Sequence, residues 1–148
     1  MIDLDALFAE ADALIAEAEP ELVPARIGKR LVGVRFLPMS GAEWRKHVLK
    51  HPPQNDVVRD MSLGYNLDAV ISTYPDVALV VGEEVDDMIR TDAEGKSESA
   101  WPAVWKRLTA TSQKDVSQAI WAAHELTPEL LVDAAGKASA GSREKKQR

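Results

Sequence analysis

The last third of the chain places large aromatic side chains at helical spacing and is then followed by a segment of small and charged residues. Trp101, Trp105 and Trp121 lie in a block whose apolar residues recur every three or four positions. Residues 133–148 contain no apolar side chain larger than alanine. The block has to bury its aromatic surface, whereas the segment after it has nothing to bury. We therefore expect a packed helical block that ends in a disordered basic tail at residues 137–148.

The composition is that of one globular domain. A chain of 148 residues can bury a core without disulfides, and the lack of cysteine excludes disulfides, thiolate zinc sites and cysteine nucleophiles. The net charge of −6 argues against nucleic-acid binding, which needs a basic surface. No apolar run approaches the ~18 residues of a membrane span, and the acidic start of the chain does not resemble an export signal. We expect an intracellular domain with no membrane or nucleic-acid partner.

Residues 1–20 predict an amphipathic N-terminal helix that ends before Pro20. Acidic residues fall between apolar residues that recur at three- and four-residue spacing, and the apolar stripe includes Leu7, Phe8, Leu14 and Ile15. Because short isolated helices are marginal in water, this stripe should pack either on the rest of the chain or on a partner.

Two local signals define the start of the domain predicted for residues 21–136. Alternating apolar residues predict a β-hairpin at about residues 24–37, with its turn at Gly28-Lys29. Ser40 and Glu43 then form a capping box, which predicts the start of a helix.

The remaining segments favour helices. Residues 77–81 could be a buried strand or part of a helix, and their periodicity does not decide between the two. Residues 85–89 suggest a further helical turn, and residues 91–99 suggest a mobile loop. Thr127-Pro128-Glu129 has the residue order of a helix start. The expected fold class is mainly α (α+β): a helical domain with a small N-terminal β-hairpin.

Signals for catalysis or metal binding are weak. His47 and His51 have the spacing of two metal ligands on one helix face, but no third ligand accompanies them. The acids at residues 83–87 do not match a calcium loop, and are better interpreted as a solvated turn. His124 and Glu125 are adjacent and should point to different sides of a helix. We expect no enzyme activity, no cofactor and no metal.

The four tryptophans are expected to divide between the core and a binding surface, where tryptophan is enriched. Two or three should be buried, and Trp101, beside the predicted loop, should be the exposed one. The candidate contact residues are those of the tryptophan-bearing helices and of the N-terminal stripe: Trp101, Trp105, Trp121, Leu7, Phe8, Leu14 and Ile15.

The order of several short motifs over about residues 22–143 resembles the tail assembly chaperones of long-tailed (siphovirus-type) phages of actinobacteria. The motifs are a hairpin at 26–36, Met-Ser-Gly-Ala-Glu-Trp at 39–44, His-Pro-Pro at 51–53, Leu-Gly-Tyr-Asn at 63–66 and a tryptophan-rich half that ends at 135–143. Each motif is moderately specific, and their order together is more specific than any one of them.

The resemblance implies a non-catalytic protein in the cytoplasm of the infected host. Such chaperones bind the long, apolar, helical tape measure protein, keep it soluble, help to recruit tail tube subunits and are absent from the mature virion. Self-association along the tape measure protein is a further possibility under this resemblance.

The resemblance also implies two translation products. A −1 ribosomal frameshift near the end of the gene gives a minority of copies a C-terminal extension, and the extended form engages the tail tube protein. Ala-Gly-Lys at 135–137 can be encoded by a slippery heptamer of the form G-GGA-AAR. The frameshift is therefore predicted at the codons of Gly136 and Lys137.

Two other functions remain open on the sequence alone. A protein-binding adaptor or regulatory protein could use the same tryptophan-bearing helices. A metal-dependent enzyme could be built on His47, His51 and the acids at residues 83–87.

Overall fold

The computed structural model describes residues 1–127. The elements, in chain order, are α1 (Leu4–Ala16), β1 (Glu21–Ile27), β2 (Arg30–Phe36), α2 (Gly41–Leu49), α3 (Val58–Leu63), α4 (Leu67–Ser72), β3 (Val77–Val81), β4 (Glu84–Asp86), β5 (Ile89–Thr91), β6 (Ser97–Ser99), α5 (Trp101–Arg107), α6 (Ala110–Trp121) and a π-helical segment (Ala122–Leu126). The prediction that Thr127 caps the start of a helix is wrong, because Thr127 already has helical backbone angles (φ −62°, ψ −46°) that continue the preceding helix. Pro128 and Glu129, the frameshift codons and the basic tail lie outside the described residues.

The centre of the fold is a four-stranded antiparallel sheet with the strand order β1-β2-β3-β4. The predicted hairpin is confirmed as β1 and β2, and Gly28 takes a positive φ of 61° in the two-residue turn between them. Alternate residues of β2 face the core: Val32, Val34 and Phe36 are buried. Residues 77–81 form a strand that pairs with β2, which resolves the ambiguity of that segment.

The mainly α fold class is wrong, and the chain is a mixed α+β protein. Strands make up 23% of the described structure and helices 46%, so the sheet is too large to be a hairpin appended to a helical domain. The helical turn predicted at 85–89 is replaced by parts of β4 and β5, and the loop predicted at 91–99 contains the end of β5, the turn after it and β6. These strands have three residues each, which is too short to show a period-two pattern.

Helix α6 packs against the sheet, and residues of α4, α5 and α6 share one core with the strands. Helix α6 contacts β1, and α4 contacts both α5 and α6. The fully buried residues at the centre include Val34, Phe36, Val70, Ile71, Trp101, Val116 and Ile120. Every one of these residues comes from β2 or a later element, so the core forms without a contribution from α1.

The outer edge of β1 is closed along its second half. The N–H of Arg26 donates to the Ser112 hydroxyl at 2.8 Å, and the carbonyl of Arg26 accepts from the N–H of Thr109 at 3.0 Å. Pro24, which faces the same edge two residues earlier, has no N–H to offer. A partner strand could therefore not pair with β1 along this half of its edge.

Candidate protein-binding surface

Helix α1 exposes its apolar stripe to solvent. Its start is fixed by Asp3, whose carboxylate accepts from the N–H of Ala6 at 3.1 Å. None of its residues is buried. The exposed fractions of the four predicted stripe residues are 50% for Leu7, 59% for Phe8, 68% for Leu14 and 52% for Ile15. Within residues 1–127, the stripe therefore does not pack on the rest of the chain. The alternative that is left is packing on a partner.

The exposure of this stripe is energetically unusual. Burying a leucine, isoleucine or phenylalanine side chain is worth about 1.5–3 kcal/mol, so the stripe leaves a large amount of apolar stabilisation unused. A helix of 13 residues is also marginally stable in isolation. A partner that covered the stripe would bury these apolar side chains and would also stabilise the helix. Helix α1 is thus the strongest candidate for a protein-binding surface in the described part of the chain.

Trp101 and Trp105 belong to the core, so the prediction that Trp101 is exposed is wrong. Trp101 is 1% exposed and Trp105 is 6% exposed. The indole N–H of Trp101 donates to the carbonyl of Ile71 at 2.7 Å, and the two indole rings meet edge to face with their centroids 5.9 Å apart. The segment before α5 is anchored rather than loose, because the N–H of Ala100 donates to the carbonyl of Met88 at 2.8 Å.

Trp121 is the one of the three candidate tryptophans that is not buried. It is half-buried at the end of α6 and lines an open groove of about 700 Å³ between α6 and the α3–α4 region. The other groove residues mix apolar and polar side chains: Arg59, Leu63, Leu67, Asp68, Ala110, Gln113, Lys114, Ser117 and Gln118. A contact role for Trp121 stays a prediction.

The π-helical segment is attached to the rest of the fold through His124. The His124 ring stacks on Trp44, with centroids 4.3 Å apart and planes 13° apart. Its Nδ1 lies 2.7 Å from the carbonyl of Ile120, and its Nε2 lies 3.0 Å from the backbone N–H of Met39. A carbonyl only accepts and a backbone N–H only donates, so these two contacts assign the hydrogen to Nδ1 and require a neutral ring.

The role of His124 was missed by the sequence analysis. Adjacent residues do point to different partners, as expected, because the Glu125 carboxylate accepts from the hydroxyl of Tyr65 at 2.7 Å while His124 contacts Met39 and Trp44. A single histidine near the end of a helix carries no sequence signal for a partner 85 residues away.

The stability of the fold should fall when His124 is protonated. Burial lowers the pKa of His124 below its ordinary value; the Ile120 carbonyl and Glu125 act in the opposite direction, and His47 lowers the pKa further. A group with a lowered folded pKa stabilises the fold above its unfolded pKa of about 6.5 and loses that contribution as the pH falls below it. We expect urea unfolding to show stability falling between about pH 7.5 and pH 5, since a protonated Nε2 would face the Met39 N–H. The loss should not exceed about 2 kcal/mol, because one titrating site changes stability by at most about 1.4 kcal/mol per pH unit.

The control for this pH dependence is the variant His124→Phe, which keeps a ring beside Trp44 but cannot titrate. This variant should be less stable than the wild type at neutral pH, and its free energy of unfolding should vary less with pH. His51 also has a lowered pKa, chiefly through burial, so His51→Gln serves as the matched histidine control. An equal pH dependence in the wild type and in His124→Phe would show that His124 is not the responsible group.

The residues of the metal-enzyme alternative do not assemble into one site. The rings of His47 and His51 lie 5.3 Å apart, but the Nε2 of His47 donates to the carbonyl of Val70 at 2.8 Å. Among the acids at 83–87, Asp86 pairs with Arg90 at 2.6 Å, and the hydrogen bonds from Arg90 lower the pKa of Asp86 to about 2. Within residues 1–127, no three His, Asp or Glu side chains converge as they would around a metal ion.

We found no match to this chain among protein-family models, curated proteins or solved structures. Across residues 1–127, no helix combines the length and the apolar character needed to cross a membrane.

Proposed function

We propose that the protein is a non-catalytic tail assembly chaperone of a long-tailed actinobacteriophage. It binds the apolar, helical tape measure protein in the cytoplasm of the infected host, keeps it soluble and helps to recruit tail tube subunits, and it is absent from the mature virion. The observation that carries this proposal is the exposed apolar stripe of α1. The motif order over residues 22–143 supplies the identity of the partner.

The arrangement of the chain suits a chaperone that binds an apolar helix. An amphipathic helix can cover an apolar helix by packing its stripe into the partner's grooves. Helix α1 can do this without disturbing the body, because the buried core comes from residues beyond α1. Each such contact is small, but many copies along one long tape measure protein would bind by avidity.

Co-expression tests this proposal. The tape measure gene expected next to this one in a phage genome is expressed in fragments that are insoluble alone, with and without this protein. The proposal expects the fragments to stay in the soluble fraction and to co-purify with the chain. A chain that co-purifies with no fragment and leaves all of them insoluble would contradict the proposal, and an unrelated adaptor would give that result.

The frameshift is a separate prediction about the gene. The codons of Gly136 and Lys137 should lie in a heptamer of the form G-GGA-AAR, followed by an open −1 frame. The extended product of that frame would be the form that engages the tail tube protein. Sequencing the gene and mass spectrometry of the products test this directly. A gene without the heptamer, or with a stop codon immediately downstream in the −1 frame, would exclude it.

A further inference from the structure

The sequence of α1 contains an internal seven-residue repeat. Residues 4–10 read Leu-Asp-Ala-Leu-Phe-Ala-Glu, and residues 11–17 read Ala-Asp-Ala-Leu-Ile-Ala-Glu. A repeat of seven residues keeps the same side chains on the same side of a helix over successive pairs of turns. Apolar residues occupy the first, fourth and fifth positions, carboxylates occupy the second and seventh, and alanine occupies the third and sixth.

The carboxylates lie along both edges of the apolar stripe. An α-helix turns by about 100° per residue, which places Asp5 and Asp12 along one edge, and Glu10 and Glu17 along the other. The far side of the helix carries alanine instead of charge. All of these residues are exposed. Charges in these edge positions are the ones that face a partner helix when the stripe is covered.

The sequence around the stripe is acidic and contains no lysine or arginine. The first 25 residues contain seven carboxylates and no lysine or arginine, and the first basic residue is Arg26. A second copy of α1 would place carboxylates near carboxylates, which disfavours self-pairing through this helix. An acidic or neutral helix would leave the edge charges without partners.

We propose that the segment bound by α1 is an apolar helix that carries lysine or arginine along both edges of its own apolar stripe. This inference rests on the proposed function and specifies the part of the partner that α1 recognises. The apolar stripe supplies the affinity, and the edge charges select basic segments and speed their association. At 1.5 Å per residue, the 13 residues of one α1 would cover about 20 Å of the partner.

Two synthetic helical peptides test the inference. Both carry leucine and isoleucine at the stripe positions over four heptads, and they differ only at the edges, where one has lysine and the other glutamate. Binding of the dye-labelled peptides to the full chain is measured by fluorescence anisotropy. The lysine peptide should bind at least about 10-fold more tightly at low salt, and this preference should shrink at about 0.5 M salt because screening weakens exposed charge pairs.

Charge-neutral variants provide the matched comparison. The variant Asp5→Asn, Glu10→Gln, Asp12→Asn, Glu17→Gln should bind the two peptides equally well. The control Asp56→Asn, Glu83→Gln, Glu84→Gln, Glu94→Gln removes the same number of exposed charges elsewhere and should keep the preference for lysine.

The outcomes separate this inference from the proposed function. Equal binding of both peptides by the wild type, or binding of neither, would overturn the inference even if tape measure fragments remain soluble with the chain. A preference for lysine that survives in the α1-neutral variant would also overturn it. A clear lysine preference together with failure to solubilise any tape measure fragment would support the inference about α1 and reject the chaperone function.

Discussion

Replacing Trp101 by alanine should lower the free energy of unfolding by about 3–5 kcal/mol, the range for removing a large aromatic side chain from a core. Trp101 is among the largest side chains that are fully buried. Its loss would leave a cavity beside Trp105 and would remove the donor to the carbonyl of Ile71. An acceptor left buried without a partner adds to the cost. Urea unfolding followed by circular dichroism measures the change.

The variant Trp101→Phe separates the two contributions. It keeps an aromatic ring in the site but removes the indole N–H, so it should be clearly more stable than Trp101→Ala. If Trp101→Ala unfolds with the stability of the wild type, then Trp101 is not part of the core. That result would support the role first predicted from the sequence, in which Trp101 is exposed and contacts a partner.

Converting the α1 stripe to glutamine should abolish partner binding and leave the fold intact. In the variant Leu7→Gln, Phe8→Gln, Leu14→Gln, Ile15→Gln, four side chains lose burial that is worth about 1.5–3 kcal/mol each when complete. Even if the partner buries these four side chains only in part, their loss should weaken binding at least about 100-fold. Stability should change by no more than about 0.5 kcal/mol, because none of these side chains is buried in the free protein.

Helix α1 offers a closely matched control for that variant. The substitutions Ala6→Gln, Ala9→Gln, Ala13→Gln and Ala16→Gln add the same four glutamines to the opposite side of the same helix, and they should leave binding unchanged. Co-purification with a tape measure fragment gives the readout for both variants. Loss of binding in both would mean that α1 does not bind through its stripe. A large loss of stability in the stripe variant would mean that α1 packs on the body.

Local chemistry was predictable where one short segment carries the whole signal. The hydroxyl of Ser40 accepts from the N–H of Glu43 at 3.2 Å, which is the first of the two hydrogen bonds of the predicted capping box. The turn at Gly28 and the alternation in β2 defined the first hairpin for the same reason. The stripe of α1 was also visible, because a helical period over two heptads is a strong pattern.

Features that depend on distant partners were not predictable in this way. The run 77–81 became a strand because β2 offers it an antiparallel partner about 40 residues earlier in the chain. Trp101 and Trp121 both lie on helices and look alike in sequence, yet the first is buried beside Ile71 whereas the second is only half-buried. Tertiary packing decides which side of a helix is covered, and the spacing of residues alone does not predict it.

Hydrogen exchange tests most directly whether α1 is the surface that binds the tape measure protein. Amide exchange of the chain is measured alone and in complex with a tape measure fragment. Alone, the amides of α1 should exchange rapidly, since a short helix without buried residues opens easily. In the complex, protection should rise across α1 and change little in β2 and α6. Unchanged exchange in α1, with new protection confined to other elements, would contradict the account.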